Sequence, residues 1–217
     1  MPRKILVTRP RHDMQTAYLY DFSEGLIKSM RGSKAVHITE LRDSQAVRAN
    51  LEKVIPHENP GLVFLNGHGD GKSVGGYKDE TILDCKNIAL TKGRIVYALA
   101  CESLSYLGEI AAKQGTKAYI GYRDKFMVIR DLTRTSSPSK DINALPFKKV
   151  CSVLINALAE GKEVKESIGR TRDKYRELIK SYGTSKDDYG DVGLIRFALA
   201  WDLEFLDMAG DPSARFT

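Results

Sequence analysis

The chain has 217 residues, of which 42% are hydrophobic and 29% are charged, a composition typical of a folded protein rather than a disordered one. No apolar run approaches the roughly 20 residues that a membrane-spanning helix needs, so a membrane partner is not expected. The net charge is +6 at pH 7. Because lysine and arginine are spread along the chain rather than gathered in a basic arm, nucleic acid is not an expected partner either.

The cysteines and the first residues bear on the compartment. Cys85, Cys101 and Cys151 make an odd number, which disfavours a framework of disulfides. The first residues pass directly into a strand pattern and lack the apolar core and cleavage site of a signal peptide. We therefore expect a reducing, cytoplasmic setting.

Strand and helix patterns alternate over the first 120 residues. Short apolar runs predict strands at 4–7, 35–38, 62–65, 95–100 and 117–121. Helical spacing of apolar residues predicts three helices: one at 13–30, a second that begins after a cap at Asp43 or Ser44, and a third at 104–114. This order predicts an α/β fold with a mostly parallel sheet and helices on both faces.

The remaining segments depart from this alternation. Glycine-rich residues 71–77 predict a mobile loop or a small hairpin that covers or lines a site near His68. The polar stretch 133–140 predicts a surface loop. Two amphipathic helices are predicted at 142–160 and 163–182. Their apolar faces either pack on the sheet or form a surface that binds a partner.

Two predicted strands end beside residues whose side chains can act in catalysis. The strand at 62–65 runs into Asn-Gly-His-Gly-Asp-Gly at 66–71, and the strand at 95–100 runs into Cys101. Ligands collect where parallel strands have their carboxyl ends. We therefore expect His68 to meet Cys101 there, since a nearby imidazolium lowers the pKa of a thiol and supplies the nucleophilic thiolate.

The same segments predict donors for an oxyanion. The N–H of Cys101 is expected near the start of the helix at 104–114, where unpaired donors exist. Gly69 has no side chain, so a substrate carbonyl can approach the backbone beside His68. The other histidines and cysteines are interpreted as structural or solvated: His12, His37, His57, Cys85 and Cys151. No Cys/His cluster has zinc-ligand spacing, so no metal or other cofactor is expected.

Strand-His-Gly followed by strand-Ala-Cys resembles the caspase-like cysteine peptidases, the clan that holds gingipains, clostripain, metacaspases, separase and bacterial CHAT domains. Residues 99–103, Leu-Ala-Cys-Glu-Ser, are especially similar to the CHAT motif, and residues 206–212 resemble the last strand of several bacterial members. The resemblance implies a caspase-like three-layer sandwich, one peptidase domain over residues 1–217, and a prokaryotic type of enzyme.

The resemblance also implies roles for individual residues. A His68/Cys101 dyad would hydrolyse peptide bonds through an acyl-enzyme, with the N–H groups of Gly69 and Cys101 holding the oxyanion. Arginine after the first strand binds an acidic substrate residue in caspases, which makes Arg9 and Arg11 candidates. The predicted substrate-binding set also includes Asp70 and Glu102, which adjoin the dyad in sequence.

This sequence departs from the family pattern in two respects. The histidine and the cysteine are 101 − 68 = 33 residues apart, fewer than the about 50 typical of caspases. Relatives that cleave after lysine or arginine often have Asp where Leu99 stands, so a basic-residue preference has no support here.

Three functions stay open at this stage. The leading hypothesis is a cysteine endopeptidase that acts on a protein or peptide substrate. The second is a catalytically silent caspase-like module for binding or signalling, governed by an activating protein partner. The third is a thiol-dependent amidase that acts on a small molecule. The substrate and the oligomeric state are open in all three.

Overall fold

The computed structural model describes residues 2–30, 32–134, 136–184, 186 and 191–217. Residue 135, within the predicted loop at 133–140, and residue 1 lie outside the described residues. The strands are β1 (Arg3–Arg9), β2 (Val36–Arg42), β3 (Leu62–Asn66), β4 (Ser73–Gly75), β5 (Thr81–Asp84), β6 (Ile95–Leu99), β7 (Ala118–Tyr122) and β8 (Leu206–Gly210). The α-helices are α1 (Met14–Met30), α2 (Arg48–Glu58), α3 (Leu107–Lys113), α4 (Leu145–Ala159), α5 (Val164–Ser181) and α6 (Val192–Phe205).

Six strands form one sheet in the order β2-β1-β3-β6-β7-β8. Every pair is parallel except the edge pair, in which β8 runs antiparallel to β7. The predicted α/β fold with a mostly parallel sheet is confirmed. Strands β4 and β5 pair separately as an antiparallel hairpin, so the glycine-rich segment belongs to a small hairpin.

Side chains of the central strands alternate between two cores, as the two-residue period of a strand requires. In β1, Ile5 and Val7 join the core beneath α1, α4, α5 and α6, whereas Leu6 joins the opposite core beneath α2, α3 and the hairpin. The result is a three-layer sandwich. Burial on both faces explains why these strands are almost wholly apolar.

One predicted helix start is wrong. Neither Asp43 nor Ser44 caps α2, because both lie in a short 3₁₀ turn and the helix begins at Arg48. The N–H of Arg48 donates instead to Oε1 of Glu80, at 2.9 Å, from the distant hairpin. A tertiary contact thus replaces the local cap, which sequence spacing does not reveal.

The C-terminal half completes the sandwich. Helices α4 and α5 correspond to the predicted helices, and both pack on the sheet through one apolar face. The segment that resembles a last strand is indeed β8. No helix among the described residues is long and apolar enough to cross a bilayer.

Arg9 is buried at the end of β1, so its predicted role in binding substrate is wrong. Its side chain is 1% exposed and forms ion pairs with Glu24 of α1 and, at 2.8 Å, with Glu40 of β2. Its Nε donates to Oγ of Ser23 at 2.9 Å, and the guanidinium lies over the ring of Tyr20. The arginine therefore ties α1 and β2 to β1.

Replacing Arg9 should destabilise the fold rather than change specificity. Arg9→Met leaves the two carboxylates without their buried cation, which costs about 3 kcal/mol of the free energy of unfolding. Urea unfolding at neutral pH measures this loss, with the exposed Arg11→Met as the matched control that leaves stability unchanged. Unchanged stability in Arg9→Met together with altered substrate preference would contradict the structural role.

Candidate active site

The pairing of β3 with β6 determines where His68 and Cys101 lie. The two strands are parallel, with Asn66 opposite Leu99. His68 lies two residues beyond Asn66, and Cys101 lies two residues beyond Leu99. Equal offsets from a matched pair bring both residues to the same place at the carboxyl edge of the sheet.

Gly69 brings the two backbone segments into contact. A Cβ built on this residue would lie 2.2 Å from the carbonyl oxygen of Cys101 and 3.1 Å from its nitrogen. No side chain fits at that distance, so glycine is required here. The turn that carries His68 therefore packs directly against the backbone of Cys101.

Asp13 orients the ring of His68, a role that the sequence analysis missed. Nε2 of His68 is 2.7 Å from Oδ2 of Asp13, which lies in the loop between β1 and α1. Partial burial raises the pKa of Asp13, but hydrogen bonds from Thr16 and His68 outweigh that effect and lower the pKa to about 2. Asp13 is thus a carboxylate across the working pH range, and it forms a third member of the site beside His68 and Cys101.

The Cys101 thiol is largely buried and faces the segment after β7. Its Sγ is 3.9 Å from the carbonyl oxygen of Phe126. Burial raises the pKa of the Cys101 thiol, and the neighbouring Glu102 carboxylate adds to this effect. The expected lowering of this pKa by His68 is therefore not found. The resting side chain is a thiol, not a preformed thiolate.

The helix start that was expected beside Cys101 is also wrong. Helix α3 begins at Leu107, six residues after Cys101, and a helix dipole acts only within about one turn. Glu102 has a left-handed φ of 55°, and its N–H donates to the carbonyl of Asp124 at 3.0 Å. A residue with a left-handed φ cannot belong to the first turn of a right-handed helix, so the helix starts later.

Two backbone N–H groups of the segments that carry the site have no acceptor among the described residues. The N–H groups of Gly69 and Cys101 have no hydrogen-bond acceptor within the part of the chain that the structure describes. The Cys101 nitrogen lies close to Gly69, since a Cβ built on this glycine would be 3.1 Å from it. These two N–H groups are therefore available to an oxygen atom that binds between them.

The remaining predicted substrate-binding residues occupy different settings. Oδ1 of Asp70 accepts hydrogen bonds from the N–H groups of Lys72 and Ser73, at 3.0 and 2.8 Å, and so orders the turn before β4. Glu102 directly follows Cys101 and is half-buried. The guanidinium of Arg11 lies 5.6 Å from the ring centre of Tyr20, on the outer side of α1. Asp70 and Glu102 thus flank the dyad, whereas Arg11 turns away.

A small pocket of about 80 Å³ opens beside Phe126. Its lining residues come from α1 and the segment after β7: Gln15, Tyr18, Leu19, Phe126, Val128 and Arg130. The guanidinium of Arg130 lies 5.8 Å from the ring centre of Tyr18, and no carboxylate of the described chain pairs with it. The sequence analysis missed this residue because no motif marks it.

His12 and Asp79 also lie at the site. Nε2 of His12 is 3.2 Å from Oδ1 of Asp79 and 3.7 Å from Oδ2 of Asp13. The interpretation of His12 as structural or solvated therefore missed that its ring lies beside the carboxylate that orients His68. Residues 12 and 13 precede α1, His68 follows β3, and Asp79 lies in the turn between β4 and β5, so spacing along the chain could not reveal the group.

Comparison with known proteins supports the fold alone. No family model and no curated protein matches the chain. The Arg-specific cysteine proteinase gingipain R (RgpB) of Porphyromonas gingivalis is similar over 99% of this chain, with a TM-score of 0.57 and 12% identity. Caspase-1 from Spodoptera frugiperda is similar over 99% of this chain and 88% of its own, with a TM-score of 0.53 and 12% identity.

The chain spans about half of the gingipain structure, 47% of its length. Both neighbours are cysteine peptidases by name. The fold of this chain is therefore caspase-like, in agreement with the sheet order and the three-layer arrangement described above.

The buried thiol gives a direct chemical prediction. Because burial raises the pKa of Cys101, iodoacetamide at pH 7 should alkylate it at least tenfold more slowly than the exposed Cys85, which serves as the internal control. Mass spectrometry of time points from pH 6 to 10 measures both rates in one sample. A Cys101 that reacts faster than Cys85 at pH 7, and slows in His68→Ala, would instead indicate a preformed ion pair.

Proposed function

We propose that residues 1–217 form a single caspase-like domain that acts as a cysteine endopeptidase, with Cys101 as nucleophile and His68 as general acid and base. The observation that supports this most strongly is the juxtaposition of the two residues, equally offset beyond paired strand ends and packed together through Gly69. The caspase-like fold supports the same reaction class, by analogy.

In the proposed reaction, Sγ of Cys101 bonds to the carbonyl carbon of the scissile peptide. The thiol proton passes to His68, which delivers it to the leaving amine as the C–N bond breaks. Water then attacks the thioester, and His68 accepts the water proton and returns it to the Cys101 sulfur as the C–S bond breaks. The N–H groups of Gly69 and Cys101 hold the oxyanion in both steps.

Asp13 is the positioning residue in this proposal. Its carboxylate occupies Nε2 of His68, which leaves Nδ1 as the nitrogen that exchanges protons with Cys101. An anionic partner also stabilises the imidazolium that forms when the thiol is deprotonated.

The raised pKa of the Cys101 thiol favours a second function, in which the free protein is silent. A thiol that faces the carbonyl of Phe126 attacks only after the segment at 124–128 rearranges. We propose that an activating protein partner supplies this change. We also propose a prokaryotic, CHAT-like protein of the cytoplasm, a setting consistent with three free cysteines.

For the substrate, we propose that an acidic side chain occupies the pocket beside Phe126. Arg130 supplies at this pocket a cation that has no carboxylate partner among the described residues, the role that the sequence analysis gave to Arg9 and Arg11. Asp70, Glu102 and the more distant Arg11 are proposed to contact the substrate chain outside the pocket.

Substitutions in the dyad test the peptidase proposal. On a fluorogenic peptide library, Cys101→Ala should abolish turnover, and His68→Ala should lower kcat by about 10²- to 10⁴-fold because general acid–base catalysis is lost. Cys85→Ala is the matched control and should retain full activity. Turnover that survives in Cys101→Ala would contradict the proposal.

Arg130→Gln tests the substrate class. A charge-assisted hydrogen bond contributes about 1.5–3 kcal/mol, so kcat/KM for peptides with Asp or Glu before the scissile bond should fall at least tenfold. Peptides with a neutral residue there should be cleaved as before, and Arg11→Gln should have little effect on either set. An equal loss for acidic and neutral peptides would mean that Arg130 only supports the fold.

A further inference from the structure

Four side chains from three separate segments point at one another beside the dyad. They are His12, Asp13, His68 and Asp79, and each offers one nitrogen or oxygen atom within 4.8 Å of the other three. The four separations between a histidine nitrogen and a carboxylate oxygen are 2.7, 3.2, 3.7 and 3.8 Å. Two imidazoles thus alternate with two carboxylates around a common centre.

These separations match the donor set of one metal ion. Zn²⁺ takes four ligands in a tetrahedron, with bonds of about 2.0–2.2 Å to histidine nitrogen and carboxylate oxygen. Donor atoms of such a tetrahedron are about 3.3–3.6 Å apart, which is the middle of the range found here. Two neutral imidazoles and two carboxylates carry two negative charges, which a divalent cation balances.

His12 carries a second, independent observation. Its side chain is only 10% exposed, and it packs edge-on against the ring of Tyr77. Its Nδ1 is buried with no hydrogen-bond partner among the described residues, while its Nε2 is aimed at the two carboxylates. Packing therefore holds the ring with Nε2 directed at the carboxylates, so that binding of a cation there requires little rearrangement of this side chain.

We infer that His12, Asp13, His68 and Asp79 bind a zinc ion. The imidazole and carboxylate donors favour zinc over Mg²⁺ or Ca²⁺, which require more oxygen ligands than this group offers. Bound zinc occupies Nε2 of His68 and takes Asp13 away from its orienting hydrogen bond. If the proposed peptidase function holds, on which this consequence rests, the zinc-bound form is inactive because the imidazole can no longer cycle its proton.

The binding experiment does not depend on activity. Competition for Zn²⁺ with a chromophoric chelator compares wild type, Asp79→Asn, His12→Ala and the control His57→Ala, whose histidine is exposed and remote. Asp79→Asn is the sharper variant: Asp79 is exposed and has a positive φ of 60°, which asparagine tolerates well, so the fold is retained.

Wild type and His57→Ala should bind one Zn²⁺, and both site variants should bind at least tenfold more weakly, while Mg²⁺ and Ca²⁺ at the same concentration should not compete. Equal affinity in all four proteins, no withdrawal of Zn²⁺ by wild type, or equally tight binding of Mg²⁺ or Ca²⁺ would overturn the assignment. In a peptidase assay, Zn²⁺ should inhibit wild type at concentrations that leave Asp79→Asn active. Failure of the zinc-binding measurement refutes the metal site. A protein that binds zinc but cleaves no peptide refutes only the proposed function.

Discussion

The parallel register between β3 and β6 is the constraint on which the site depends. Side chains alternate across a sheet, so a shift of one residue would turn His68 or Cys101 to the opposite face. The register pairs Asn66 with Leu99, and both loops leave the sheet from that matched pair. Gly69 then fixes their separation, since its backbone touches Cys101. The backbone segments that carry these two ordinary side chains become neighbours through backbone geometry alone.

Burial keeps the two titratable groups beneath the site, the Cys101 thiol and the Asp202 carboxyl, uncharged. Asp202 of α6 is fully buried, and burial raises its pKa well above the usual range of a carboxyl group. Its Oδ1 accepts the N–H of Met127 at 2.8 Å, which ties the segment that faces the Cys101 thiol to α6. A charge on Asp202 would oppose ionisation of Cys101, and burial instead keeps both the thiol and this carboxyl uncharged.

The sequence predicted the fold better than it predicted the site. Near-continuous apolar strands and their alternation with helices were sufficient for the parallel sandwich, because burial on both faces leaves a strong pattern. The position of His68 and Cys101 followed from the same strand ends. Asp13, Asp79 and Arg130 could not be predicted, since each reaches the site through a tertiary contact. Arg9 was assigned wrongly because its sequence position does not show that Glu24 and Glu40 surround it.

The position of Trp201 makes this site observable by intrinsic tryptophan fluorescence. It is the only tryptophan in the chain, and its indole N–H donates to the carbonyl of Lys125 at 2.9 Å. Lys125 directly precedes Phe126, whose carbonyl faces the Cys101 thiol. Any movement of that segment must alter the hydrogen bond and the solvation of the indole ring. The intrinsic fluorescence of the whole protein therefore reports on the few residues beside Cys101, without an added label.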